Sequence, residues 1–256
     1  MPSDHVEHIR DQFTRQANAY AGTDQAKDDA AHARLAALVG AGSADRVLDV
    51  ACGPGFLTLA FAARCAEVVG VDATDALLDI ARANATARGV ANVRFESGDA
   101  TELPYADESF DVAICRAAFH HFPNPGRVLG EMRRVVRAGG TVAVADVVTS
   151  PNKSAARVHN AIERLCDPTH VRALPADELR ALFIQHDIDV VADRPGRMHY
   201  GVTEWIAHGG PDTATEAEIR RRFESALERD DTGLNVRRDG DEIKFTHQTL
   251  VLIGRR

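Results

Sequence analysis

The sequence predicts an α/β fold: a doubly wound, mostly parallel sheet with helices on both faces. Three observations predict it. From about residue 45 onward, short apolar and β-branched runs alternate with amphipathic helical patterns. Successive runs are separated by enough chain for one crossover helix each, and crossovers of fixed hand wind the helices onto both faces. The length of 256 residues suits one such domain with elaborations.

The elements run in order along the chain. In "DHVEHIRDQFTRQANAYAG", Val6, Ile9, Phe13 and Ala17 recur at helical spacing. Residues 28–39 make a second, alanine-rich helix that Gly40 and Gly42 end. "RVLDVA" is a short buried strand, "FLTLAFAARC" a helix and "EVVGVD" a strand. "TDALLDIARANATARG" is a helix with Thr74 as N-cap and Gly89 as its stop. "NVRFESGD" and "FDVAICRA" are strands. Asn124 then caps a helix with Pro125 at its first position, running to about Arg137. "GGTVAVADVV" is a strand, "SAARVHNAIERLC" a helix, "DPTHVRALP" a loop, "ADELRALFIQHD" a helix and "IDVVADRP" a strand. Residues 201–231 read as an inserted helical pair, "RRDGDE" as a polar turn, and "IKFTHQTLVLIG" as a last strand.

Composition bounds the function. With 45% apolar and 27% charged residues, the chain is an ordinary globular protein. A net charge of −8 argues against a nucleic-acid partner, which needs a basic stripe. The run Arg220, Arg221, Arg222 reads as a solvated helix face. Cys52, Cys65, Cys115 and Cys166 form no C-x-x-C pair and read as small buried hydrophobes, so no metal site is expected. There is no apolar signal region and no run of about 20 apolar residues, so the reading is a reduced, cytoplasmic chain without a membrane span. No internal repeat occurs, and nothing speaks to oligomeric state.

The informative stretch is "VLDVACGPGFLTLA", a strand, a glycine turn and a helix. A dinucleotide fingerprint needs G-x-G-x-x-G, but Thr58 stands at the third glycine position. Asp49 would also repel a diphosphate. S-adenosylmethionine has no phosphate, and its ammonium welcomes a nearby acid. Glycines let backbone approach its methionine part. Later strand ends supply matching chemistry. Asp72 closes "EVVGVD" about twenty residues on, where a carboxylate accepts from the ribose hydroxyls. Asp99 closes "RFESGD", where it accepts from the adenine amino group while the amide of Ala100 donates to a ring nitrogen. The next strand ends in "ICRAAFHHF", under the sulfonium.

"VLDVACGPG", "VVGVDAT", "ESGDATELPYADESFDVAICRAAFHHFPNP" and "EMRRVVRAGGTVAVAD" resemble the class I S-adenosylmethionine-dependent methyltransferases, closest to the ubiquinone and menaquinone biosynthesis C-methyltransferase branch. The resemblance covers residues 45–148, the cofactor-binding core of a single domain spanning 1–256. It implies a Rossmann-like sheet of seven strands, with the last antiparallel and inserted between two others. It implies that Gly53 and Gly55 face the methionine part, Asp72 the ribose, and Asp99 with Ala100 the adenine. It further places Arg116 near the cofactor carboxylate and Tyr20, in "QFTRQANAY", near its methionine end.

The expected chemistry is direct in-line methyl transfer to a small-molecule acceptor. The N-terminal helices (residues 1–42) and the insert (201–231) are the available lids. His120 and His121 stand beside the expected methyl position as candidate bases, with His170 a further candidate. On an extended segment, His120 and His121 would point to opposite faces. Trp205 reads as core. The alternatives are a cyclase or isomerase on the same fold, and a non-catalytic cofactor-binding module.

Overall fold

The computed structural model describes residues 2–23, 27–229 and 231–256. Residues 1 and 24–26, in the expected N-terminal lid, and 230, in the expected insert, lie outside them. The chain runs α1 (Pro2–Gly22), α2 (Asp29–Val39), β1 (Arg46–Val50), α3 (Phe56–Ala62), β2 (Glu67–Asp72), α4 (Asp75–Ala87), β3 (Val93–Ser97) and β4 (Phe110–Arg116). It continues with α5 (Pro125–Val135), β5 (Val136–Val148), α6 (Lys153–Cys166), α7 (Ala176–Gln185) and β6 (Asp189–Gly201). It ends with α8 (Val202–Gly209), α9 (Thr213–Glu228), β7 (Arg237–Asp239) and β8 (Glu242–Arg255).

The sheet order is β3-β2-β1-β4-β5-β8-β6. Strands β1 to β5 are parallel, and β8 lies antiparallel between β5 and β6. This is the expected seven-strand path. The eighth strand is an addition: "RRDGDE" is a hairpin, in which β7 pairs with β8 across Gly240 at φ 60°. Strand β6 also runs past the expected "IDVVADRP" to Gly201, because β8 supplies partners along its whole length. Pro195 is tolerated there because β6 is the sheet edge.

Each face of the sheet buries its own core, as strand alternation requires. Leu48, Val50, Val142, Val144, Leu250 and Leu252 fall on one side. Val47, Ala143 and Ile253 fall on the other. A third apolar cluster joins α6, α8, α9 and β8 around Trp205, Phe223 and Phe245. Trp205 is core, as expected. Asn124 caps α5 by accepting from the Arg127 amide. Thr74 holds the N-cap position of α4, but its hydroxyl makes no cap bond. On α9, Arg220 pairs with Glu216, and Arg221 and Arg222 share Glu218, so each arginine of the run is paired within its own helix. No described helix is long and apolar enough to cross a membrane.

Candidate active site

The strand order reverses between β2-β1 and β4, and a crevice opens beyond the carboxyl ends of these strands. It holds a cavity of about 460 Å³. Ala51, Cys52, Gly53 and Pro54 line it from the end of β1, and Asp72 and Ala73 from β2. Asp99 and Ala100 follow β3, Arg116 ends β4, and Ala117 and Ala118 follow it. Helix α1 covers it with His5, Val6, Ile9, Phe13 and Tyr20. Two alanines at the strand ends, Ala51 and Ala117, have φ of 56° and 51°. A left-handed alanine costs about 1–2 kcal/mol, so backbone strain is held at this crevice.

The glycine turn places its acids first. Asp49 is 1% exposed, and burial pushes its pKa up to about 7. Among the described residues its side-chain partner is the Thr58 hydroxyl, which donates to it at 2.6 Å. Thr58, the residue that spoils the dinucleotide fingerprint, therefore serves the acid. Asp72 accepts from the amides of Gly53 and Thr74, both at 2.9 Å. Burial raises its pKa too, against the pull of those amides. Asp99 accepts from the Thr101 amide at 2.7 Å and its hydroxyl at 2.8 Å. Of the two turn glycines, only Gly53 lines the cavity. Gly55 turns away from it: a Cβ there would stand 2.9 Å from Ala81 Cβ and from the Phe95 ring. Its role is close helix–sheet packing at a φ of 79° rather than the expected approach to a ligand.

The far end of the cavity is cationic and underused. Arg116 makes no hydrogen bond or ion pair among the described residues, yet its charge lowers the pKa of Asp49, Tyr20 and His32. His32, from α2, carries no sequence signal of its own. It is 1% exposed, lines the cavity, and its Nδ1 has no partner among the described residues. Burial and then the Arg116 charge lower its pKa to about 4, so it is neutral. Tyr20 stands beside Gly53, and burial raises its pKa.

The histidine pair departs from expectation. Phe119–His121 is a 3-10 turn, not an extended segment, so the rings of His120 and His121 lie 4.2 Å apart instead of on opposite faces. Only His121 lines the cavity. His120 sits behind it, donating from Nδ1 to Asp146 at 2.7 Å, while its amide donates to the same carboxylate at 3.0 Å. Burial opposes the charge on His120, but Asp146 overcomes it and raises the pKa. Asp146 is correspondingly held low. His121 is lowered to about 4 by burial and by its charged neighbour. Its Nδ1 donates to the Thr169 carbonyl at 3.2 Å, which leaves Nε2 as the lone pair, 3.8 Å from Asp167. His170 lies off the cavity, bonded to Asn160 at 2.7 Å and lowered to about 2 by burial. No cavity-lining residue comes from α8 or α9, so among the described residues the cover is α1 and His32 of α2, not the insert.

Asp146, Asp167 and Thr169 were missed because each reaches the histidines across 26 to 48 residues of chain.

Comparison with known proteins agrees with this geometry. Residues 41–191 match the family model described as a methyltransferase domain. The uncharacterized methyltransferase YcgJ of Bacillus subtilis (strain 168) is 31% identical over 82% of this chain and 83% of its own. Its crystal structure superposes with a TM-score of 0.81 at 28% identity, covering 89% of this chain and 98% of that one. A demethylmenaquinone methyltransferase of Thermus thermophilus is 39% identical over 41% of this chain and 49% of its own. A 27-O-demethylrifamycin SV methyltransferase of Amycolatopsis mediterranei is 34% identical over 46% of this chain and 44% of its own. With a matching domain over more than half its length, and a sheet order and strand-end crevice to suit, the chain belongs to the S-adenosylmethionine-dependent methyltransferases.

Proposed function

We propose that the protein transfers a methyl group from S-adenosylmethionine, in line, to a small-molecule acceptor held under α1. The observation that carries this reading is the cavity end formed by Asp49, Arg116 and His32: an acid, an unpaired guanidinium and an unpartnered buried imidazole around one space. A zwitterionic amino-acid tail satisfies all three. Asp49 would hold its ammonium, and Arg116 and His32 Nδ1 would hold its carboxylate. Gly53 and Tyr20 flank that tail. At the other end Asp72 takes the ribose, and Asp99 with the Ala100 amide takes the adenine. Bound so, S-adenosylmethionine supplies an electrophilic methyl on a sulfonium.

The chain's own contribution is alignment and exclusion of water. Val6, Ile9 and Phe13 close the acceptor side, and holding two reactants in register contributes about 7–11 kcal/mol. His121 presents its Nε2 lone pair to the acceptor's O–H or N–H. At a pKa of about 4 it is too weak to ionise an alcohol in advance. It holds the hydrogen and takes the proton as the new bond forms. His120, which does not line the cavity, acts through His121 by fixing its neutral state. The relatives named as demethylmenaquinone and 27-O-demethylrifamycin SV methyltransferases support a small-molecule acceptor.

The test has two parts. Arg116→Ala should weaken donor binding about ten- to a hundredfold in calorimetry, the loss of a charge-assisted contact. A labelled-methyl screen against small-molecule pools should yield S-adenosylhomocysteine with a methylated product. An acceptor consumed without S-adenosylhomocysteine would shift the reading to a cyclase or isomerase. Unchanged donor affinity in Arg116→Ala would remove the assignment of that cavity end.

A further inference from the structure

A second cluster lies away from the cavity. His159 and Glu163 sit four residues apart on one face of α6, and His247 lies on β8, 84 residues beyond Glu163. His159 Nε2 and His247 Nε2 both meet the same atom, Glu163 Oε1, at 3.2 and 2.7 Å. The three ligand atoms lie within 4.8 Å of one another. We propose that His159, Glu163 and His247 form a binding site for a divalent first-row transition ion of the zinc type, which staples α6 to the inserted strand β8.

Convergence carries the argument. A carboxylate has two oxygens, and two imidazoles that only needed hydrogen bonds could take one each. Here both address a single oxygen, which gathers three donors around one small volume. In a tetrahedral site with bonds of about 2.0–2.1 Å, neighbouring donors stand about 3.3 Å apart. The His159 edge already has that spacing, and the His247 edge must open by about 0.6 Å on the same geometry. Two imidazoles and one carboxylate are the donor set such ions take.

The surroundings are rigid. His159 is 1% and His247 4% exposed. The aromatic rings of Tyr200, Trp205 and Phe245 pack edge-on around His247 at 5.0–6.4 Å. Ligands held on a helix and an interior strand are preorganised. Glu163 keeps 13% of its side chain exposed, which gives the ion an entry and a position for water. The staple also reaches the catalytic wall. Asn160, beside His159, bonds His170 and both backbone groups of Ala173, and so holds the loop whose Thr169 fixes His121.

The experiment uses the full chain without a histidine tag, stripped with chelator and titrated with Zn²⁺ and with Co²⁺. We expect one tightly held equivalent per chain, a raised melting temperature, and the visible absorption of low-symmetry four-coordinate cobalt. Glu163→Gln and His247→Ala should each bind at least about tenfold more weakly, while His8→Ala on exposed α1 should bind as the parent does. No retained metal and no shift in melting temperature with either ion would overturn the site. So would equal affinity in Glu163→Gln, or loss of binding in His8→Ala instead. Should Glu163→Gln fail to fold, the stoichiometry and cobalt spectrum of the parent decide alone.

Discussion

A carboxyl held near neutrality by burial makes Asp49 the residue whose titration reads out the site. Its pKa in the folded protein is about 7, against an unfolded value near 3.8. Between those values the folded state holds a proton that the unfolded state has lost. The contribution of Asp49 to stability is therefore greatest in acid and falls as pH rises to about 7, by an amount on the order of 4 kcal/mol. Asp72, also raised, adds in the same direction. On the proposed binding mode donor binding has the opposite trend, because only the ionised acid would attract the ammonium. We predict that affinity for S-adenosylmethionine climbs between pH 6 and 8 and then levels, and that Asp49→Asn flattens both profiles. A calorimetric series that showed affinity independent of pH in the parent would remove Asp49 from the ammonium. Asp72, Asp99 and Gly53 were legible as lining the crevice because each sits where its own strand ends. Gly55 was not placed correctly, because its neighbours Ala81 and Phe95 come from α4 and β3.

Gly55 matters at the level of elements. It starts α3 in a left-handed conformation and lets that helix pass within contact of α4 and β3. Gly55→Ala adds an overpacked methyl, about 1–3 kcal/mol, and left-handed strain of about 1–2 kcal/mol. A total loss of about 2–5 kcal/mol should appear in urea denaturation. Donor affinity of the folded fraction should change far less, since the methyl points into packing and not into the cavity. A variant of parental stability would show that this packing is looser than the distances state. Helix periods and caps were legible because they are local; the end of β6 was not, because pairing with β8 carries it past Pro195. The role of the insert was equally hidden, since α8 and α9 have apolar faces whose partners, α6 and β8, no spacing reveals.

For the molecule as a whole, β8 is the element on which closure depends. Thr249 to Arg255 pair with β5 from Val147 back to Thr141, and the same strand holds β6 on its other edge. Leu250 and Leu252 enter one core and Ile253 the other. Deleting residues 249–256 removes three buried side chains, each contributing about 2–5 kcal/mol, against a total stability of about 5–15 kcal/mol. The truncated chain should lose its near-ultraviolet circular dichroism and cooperative melting; a cooperative transition in that variant would refute the dependence.

The sequence by itself determined the alternation of elements, the crevice at the strand ends and the acids that face it. Those features are written locally, in hydrophobic period and in the residues that close each strand. Tertiary structure alone decided that His32 joins Arg116, that His121 and not His120 faces the cavity, and that His159 and Glu163 meet His247. These groups are brought together by sheet order and by helices packing across it, and no window of neighbouring residues carries that information.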